Sequence, residues 1–408
     1  MSLDIDFVRQ QFPALGGEWA FFDNAGGSQI LKRSVDRISD FLLTRNVQTG
    51  GSYDISIKAR EAVEASRRAI ATLVNAARPE EIVMGPSTTA LLQNLARAMA
   101  SQLSAGDEII ITNADHESNV GPWVGLEKLG IVIKTWKINT ETFELEIDDL
   151  LPLFTARTRL VCVTHVSNLL GTINPIGEIA RIAHEHGARI CVDAVAYAPH
   201  GAVDVTGWDV DYYAFSFYKV FGPHHAVLYG KYSHLLELDG LYHYFYGKDV
   251  VPQKLEPGNV NYELSCGAAG IVDYFVELGA KSSPLGDDRA KVVSAFAEIA
   301  AHERVIGERL LSYLRGRNDC RIIGRSTAGE GRVPTVSFVV DDRDSGDIAK
   351  SIDPYKVAVR FGDFHARRLA EALDLMGSRG AVRVSMAHYN TVTEVDKLIG
   401  ALDEVLGR

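Results

Sequence analysis

The sequence predicts an α/β fold. A large domain on a mainly parallel seven-stranded sheet is followed by a small C-terminal α+β domain. Three observations predict it. Short apolar runs recur over the first 230 residues, set between polar turns. Longer segments with helical periodicity lie between several of them. After about residue 285 the alternation gives way to strands and helices mixed within a shorter span.

The runs EIVMG (81–85), EIIIT (108–112), IVIKTWKI (131–138), RLVCVTHV (159–166), RICVDAV (189–195), YYAFSFY (212–218) and AVLYG (226–230) read as strands. They are apolar without alternation, which suits strands covered on both faces. Helical stripes occupy 55–76, where Ala62, Ala65, Ala69 and Leu73 align, and also 88–103 and 176–187. The last ends on Gly187, a helix stop signal. Beyond the junction SSPLGDDR (282–289), a helix over 290–317 aligns Val292, Phe296, Ile299 and Ala300. Strands over 335–340, 357–360 and 381–386 follow, with helices near 364–373 and 393–407. This organisation gives an N-terminal segment (1–20) associated with the small domain, a large domain (21–285) and a small domain (286–408).

Composition excludes several classes. Of 408 residues, 46% are hydrophobic and 23% charged, with a net charge of −11. No basic face stands out, as nucleic-acid binding would need. No stretch of about 18 apolar residues occurs, so no membrane span is expected. The N-terminus MSLDIDFVRQQFPAL lacks the apolar core of a signal peptide. A cytoplasmic protein is the expectation. The four cysteines, Cys162, Cys191, Cys266 and Cys320, form no CxxC pair, which speaks against a zinc site. Cys162 and Cys191 lie inside strand-like runs and read as small buried hydrophobes.

The chemistry sits at strand ends. Lys219 follows the run YAFSFY (213–218). Desolvation there lowers a lysine's pKa, as an imine-forming amine requires. The plainer reading is a solvated turn lysine. Asp193 ends the run ICVD, where a lone carboxylate is costly unless partnered. It reads either as a helix N-cap or as the partner of a protonated pyridine nitrogen. The two lie 219 − 193 = 26 positions apart. One βα unit fits between them and brings both to the same sheet edge. Ser87, Thr88 and Thr89 join a strand to a helix, either as simple caps or as a phosphate cradle that Ser216 would extend. His116 in NADHESN is able to stack on a ring and move protons, or is a surface-loop histidine. Asn168 offers an amide to a ring oxygen, or makes a turn. Arg383 lies in the apolar run AVRVSM. It either clamps a carboxylate or faces water from an edge strand.

Together these segments resemble a class V aminotransferase-fold enzyme of the cysteine desulfurase and selenocysteine lyase branch. The resemblance runs from FFDNAGGSQ (21–29) to RVSMAHYNT (383–391). It implies the pyridoxal-phosphate-dependent transferase fold of type I, with pyridoxal 5'-phosphate as cofactor. Lys219 would be the Schiff-base lysine, Asp193 the pyridine partner, and His116 the stacking ring. Asn168 would hold the ring or substrate. Thr88, Thr89, Ser216 and Tyr218 would bind phosphate, and Arg383 the substrate α-carboxylate, with Asn24 and Ala25 beside it. The resemblance also implies a homodimer with the active site at its interface. The stretch EPGNVN (256–261) resembles one that brings Asn259 to the partner's phosphate.

Three departures shape the functional expectation. Ala196 stands where a glutamine is usual, with Tyr197 the neighbour that would compensate. Asn259 replaces a threonine. In the stretch Arg360–Ala366, His365 occupies the place of the desulfurases' cysteine. Histidine forms no persulfide, and a thiolate is what attacks the substrate sulfur. The expectation is therefore a pyridoxal-phosphate lyase acting on a β-substituted L-amino acid whose leaving group departs unaided. His365 would then be a general acid or base. Transamination, epimerisation and carbon–carbon bond formation are alternatives on the same fold. A non-enzymatic scaffold would carry no cofactor.

Overall fold

The computed structural model describes residues 3–407. Its central sheet runs in the order Ile82–Gly85, Ala226–Gly230, Tyr212–Ser216, Arg189–Asp193, Thr158–Thr164, Glu108–Thr112, Val132–Trp136. The last five strands are parallel. Ala226–Gly230 runs against both its neighbours. All seven expected strands form, with ends displaced by two residues at most.

Side-chain alternation splits each run between two apolar layers. Ile110, Val161, Val163, Ile190 and Val192 pack into one, while Ile109, Ile111, Leu160, Cys162 and Cys191 pack into the other. Both faces are covered, so neither tolerates polar residues, and the runs lose their visible period. Each fully buried Ile or Val contributes about 1.5–3 kcal/mol. A charge at Val161 would oppose that burial on a central strand. Cys162 and Cys191 face each other across adjacent strands as free buried thiols.

The helices start and stop on recognisable signals. Ser87 caps Thr88–Met99 by accepting the Ala90 N–H at 3.1 Å. Asn75 ends Asp54–Val74 in the left-handed conformation. Thr391 and Glu394 form a reciprocal capping box on Val392–Leu406. The helix Tyr262–Ala280 carried no sequence stripe because it is buried almost all round. Its Gly270 lets the backbone of Ser34 approach, and a Cβ there would sit 3.1 Å from the Ser34 nitrogen. Lys32–Thr44, which packs against it, was also unforeseen.

The second sheet is antiparallel, in the order Arg360–Gly362, Ala381–Ser385, Thr335–Val340, Cys320–Ile323. Arg383 thus lies on an interior strand, which removes the solvent-facing edge-strand reading. The expected strand 357–360 is divided. Val357–Ala358 pairs in parallel with Ala20–Phe21, and Arg360–Gly362 joins the small sheet. The helix expected near 364–373 is shorter, Arg367–Ala372. Phe364 and His365 precede it in a left-handed loop, at φ 54° and 60°. His365 is therefore outside the helix. The connection 194–211 is built of turns, so no crossover helix lies between Asp193 and Lys219. The two strands are parallel neighbours, so this turn-rich connection still carries the chain back to the other end of the sheet.

Candidate active site

Four parallel strands end at the same sheet edge, where an α/β fold gathers its ligand-binding loops. At or just beyond their carboxyl ends lie Asp115 and His116, Asn168, Asp193, and Lys219. Opposite, the small sheet presents Arg360 and Arg383 in register with one another. Two contiguous chambers result. One is lined by Ser87, Thr88, Thr89, Asp193, Ala196 and Ser216. The other is lined by Ala25, Gly26, Arg360, Phe364, His365 and Arg383. His116, Asn168, Tyr218 and Lys219 border both.

The first chamber grades from anion-seeking to anion-bearing. At one end the Thr88 and Ser216 hydroxyls meet at 2.7 Å, and the Thr88 N–H donates to Ser216 Oγ at 3.2 Å. This cluster opens a 12-residue helix, whose N-terminal dipole favours negative charge. At the other end Asp193 is buried, with Oδ1 accepting the Val195 N–H at 3.0 Å and Oδ2 the Ser118 hydroxyl at 3.3 Å. Burial raises its pKa, against the pull of the Val195 N–H and the Lys219 ammonium. Burial, reinforced by Arg383, pulls Lys219 down to about 8, although Asp193 and Asp23 oppose it. Its Nζ lies 5.6 Å from the Tyr218 ring centroid. His116 is lowered to about 4 by burial and then by Lys219, so its ring is neutral. Beneath Asp193, burial pushes Asp115 up to about 7.

The second chamber is cationic. Arg383 is buried, and one nitrogen meets Asp23 at 2.9 Å. Another donates to the Asn168 backbone carbonyl at 3.1 Å. Burial draws the guanidinium down to about 10. His365 is exposed to the chamber, its ring 5.3 Å from that of His116. Its backbone carbonyl accepts the Glu117 N–H at 2.9 Å.

Two expected residues lie elsewhere. Asn24 is turned away and fully engaged, donating to Phe21, Ser385 and Asn390 and accepting from Tyr389. Direct substrate contact by Asn24 is not what this geometry offers. Asn259 sits at the surface and accepts the Tyr242 hydroxyl at 3.0 Å. Tyr197 does not take the place left by Ala196, because its ring stacks on His165 at 3.6 Å. Sequence reading passed over Asp23, Asp115, Ser118 and Phe364. Of these only Asp23 left a signal, a carboxylate in a glycine-rich turn that answers a buried arginine.

The class-V aminotransferase profile matches residues 20–275 and 291–398. The chain belongs to the class-V aminotransferase family. An aminotransferase-like protein of Gibberella zeae is 40% identical to this family member over 99% of both chains. A cysteine desulfurase-like protein of Aspergillus flavus is 36% identical over all of this chain and 91% of the other. The solved apo structure of a cysteine desulfurase from Thermococcus onnurineus superposes with a TM-score of 0.89. It covers all of this chain and 99% of that one at 26% identity.

As a class-V aminotransferase-family protein, the chain is a pyridoxal phosphate enzyme of fold type I. Its own residues fit that cofactor. The hydroxyl cluster suits a phosphate, the part-buried amine an aldehyde, and the buried carboxylate a protonated ring nitrogen. Asn168 Oδ1 and Arg383 Nε are buried without partners, and both point to a polar ligand. Among the described residues no cysteine lines either chamber. Cys266 lies in the helix Tyr262–Ala280, and Cys320 on the outer strand of the small sheet.

Proposed function

We propose that this enzyme cleaves a β-substituent from an L-amino acid without a persulfide-forming cysteine. The observation that carries the reading is His365 in a chamber wall that holds no cysteine among the described residues, at the place where the resemblance to desulfurases implies a thiol. Pyridoxal phosphate, when bound, supplies an electron sink for bond breaking next to the substrate amine. Lys219 would hold it through Nζ, with Thr88, Thr89, Ser216 and Tyr218 around the phosphate. Asp193 would keep the ring nitrogen protonated. His116 would lie against the ring face with its proton on Nε2. Asn168 would orient ring or substrate through the unpartnered Oδ1. Arg383 would take the α-carboxylate, for which its unpartnered Nε–H is suited. Ala25 would lie beside it, with Asn24 supporting that turn from behind. His365 would exchange a proton with the leaving group or the β-carbon. A homodimer that brings Asn259 towards the partner's phosphate, and a cytoplasmic location, complete the proposal.

The test is a product assay on the cofactor-loaded enzyme with cysteine, cysteine sulfinate, selenocysteine and aspartate. Alanine, pyruvate and the leaving group are measured. Turnover of sulfinate, selenocysteine or aspartate with cysteine inert supports the reading. Rapid sulfide release from cysteine overturns it. Transamination is the second reading, favoured by the 40% identity to the aminotransferase-like protein of Gibberella zeae. It predicts conversion of the cofactor to its amine form with release of a keto acid.

A further inference from the structure

We infer that Ser118 is a positioning residue, which holds His116 with its ring proton on Nε2 and couples that ring to Asp193 through one hydroxyl. Three bonds carry the inference. His116 Nδ1 receives the Ser118 backbone N–H at 3.1 Å. It lies 2.8 Å from Ser118 Oγ. The same oxygen lies 3.3 Å from Asp193 Oδ2. A backbone N–H only donates, so Nδ1 must accept, and the neutral ring carries its proton on Nε2.

The hydroxyl has one proton and two acceptors. Asp193 Oδ1 is already occupied by the Val195 N–H, so Ser118 is the side-chain donor to Oδ2. The carboxylate at 3.3 Å competes by its charge with Nδ1 at 2.8 Å for that proton. Whenever Asp193 takes it, Nδ1 keeps the backbone donor alone. When the charge of Asp193 is removed, the hydroxyl turns to Nδ1, where the separation is shorter. One rotation about the Ser118 side chain therefore reports the state of Asp193 to the imidazole.

The surroundings leave this route uncluttered. Lys219, His365 and Arg383 are the charged or titratable groups that act on His116. Asp193 feels Lys219, and Asp115 lies beneath it. Burial already keeps His116 neutral, which the accepting Nδ1 requires. Ser118 itself is buried, and its place two residues after His116 in a one-turn helix lets backbone and hydroxyl reach the same nitrogen. The meaning for catalysis rests on the roles proposed for His116 and Asp193; the coupling itself does not.

The test is histidine-selective nitrogen NMR on the full chain, with and without pyridoxal phosphate. The native protein is expected to show His116 as the Nε2–H form. Asp193→Asn is expected to move the His116 Nδ1 resonance. In a Ser118→Ala background the same substitution is expected to leave that resonance in place, and Ser118→Thr is expected to restore the response. An Nδ1–H form in the native protein overturns the inference and needs no variant. An equal response to Asp193→Asn with and without the hydroxyl also overturns it. A coupling present in cofactor-free protein, with His116 unmoved on loading, supports the linkage while refuting the stacking role.

Discussion

The guanidinium of Arg383 lies 3.8 Å above the ring of Phe364. Phe364 is in a left-handed conformation, which costs a non-glycine residue about 1–2 kcal/mol and is held here by tertiary contacts. Its carbonyl accepts the Asn168 side-chain N–H at 2.9 Å, and the next carbonyl, of His365, takes the Glu117 N–H. One loop therefore supports the arginine, the amide and the segment carrying His116. The chamber wall is thus tied to three other segments where a substrate would be gripped.

From this follows the first prediction. Arg383→Ala is expected to weaken substrate binding by about 2–5 kcal/mol, with KM rising more than kcat falls. Arg383→Lys is expected to recover little, because an ammonium cannot reproduce a planar fork held between Asp23 and Phe364. Initial-rate saturation curves decide it, and an unchanged KM would place the carboxylate elsewhere.

Lys219 gives a pH-dependent prediction. Its amine is drawn from an ordinary value of 10.5 to about 8 when folded, mainly by burial. Between those values the unfolded chain binds more protons than the folded one, so stability of the cofactor-free protein rises with pH across that window. Below about 8 the full cost of the charged amine remains. Lys219→Met should thus stabilise the cofactor-free protein at pH 7 by about 1–3 kcal/mol after screening, with the difference shrinking as pH approaches 10. Denaturant midpoints at the two pH values test it. Loaded separately with pyridoxal phosphate, the variant should show no absorbance band from a lysine-linked cofactor, whereas the native protein should.

Much of this was legible beforehand, for a physical reason. The strands of the parallel sheet are buried on both faces, so their runs stand out, and the residues at their ends share one edge by topology. Lys219 and Asp193 could be grouped on that ground, while His116 and Asn168 joined them through the resemblance. Arg383 was ambiguous because strand position within a sheet is a long-range property. Asn24 was misplaced because a buried asparagine in a glycine-rich turn reads alike whether it meets ligand or backbone. Ser118 and Phe364 were invisible for a related reason. Their roles depend on contacts across 75 and 19 sequence positions, to Asp193 and Arg383 respectively. Tyr262–Ala280 was missed because near-complete burial erases the stripe by which a helix is recognised.

The Arg67 and Glu256 pair offers a stability test close to the proposed cross-subunit stretch. Both are buried and meet through two bonds, at 2.8 and 3.0 Å. Glu256 also accepts the Met84 N–H at 2.8 Å. Glu256→Ala would leave the guanidinium buried and unpaired, and Arg67→Ala would do the same to the carboxylate. Each is expected to cost about 3–5 kcal/mol in chemical denaturation. Replacing both by apolar residues of similar volume is expected to cost less than either single change. A loss under 1 kcal/mol for the single changes would show that the stretch 256–261 is anchored by other contacts.

His365 separates the proposed chemistry from that of the desulfurase branch. Its side chain is exposed, and its left-handed backbone suits glycine better than any other residue. His365→Ala should therefore stay near the native stability, and His365→Gly should equal or exceed it. If the imidazole moves a proton at the β-position, both variants lose about 10²- to 10⁴-fold in kcat on the substrate that proves active, while KM changes little. Unchanged turnover would leave His365 as wall alone. His365→Cys is the complementary change. It puts a thiol on a loop already bonded to Glu117 and beside the cationic chamber, where positive charge favours the thiolate. Loaded with pyridoxal phosphate and incubated with cysteine, this variant is expected to take the substrate sulfur as a persulfide while the C–S bond breaks and alanine is released, both detectable by mass spectrometry. Absence of the persulfide, in a variant that still binds cofactor and substrate, would mean that the loop holds its side chain out of line with the substrate sulfur.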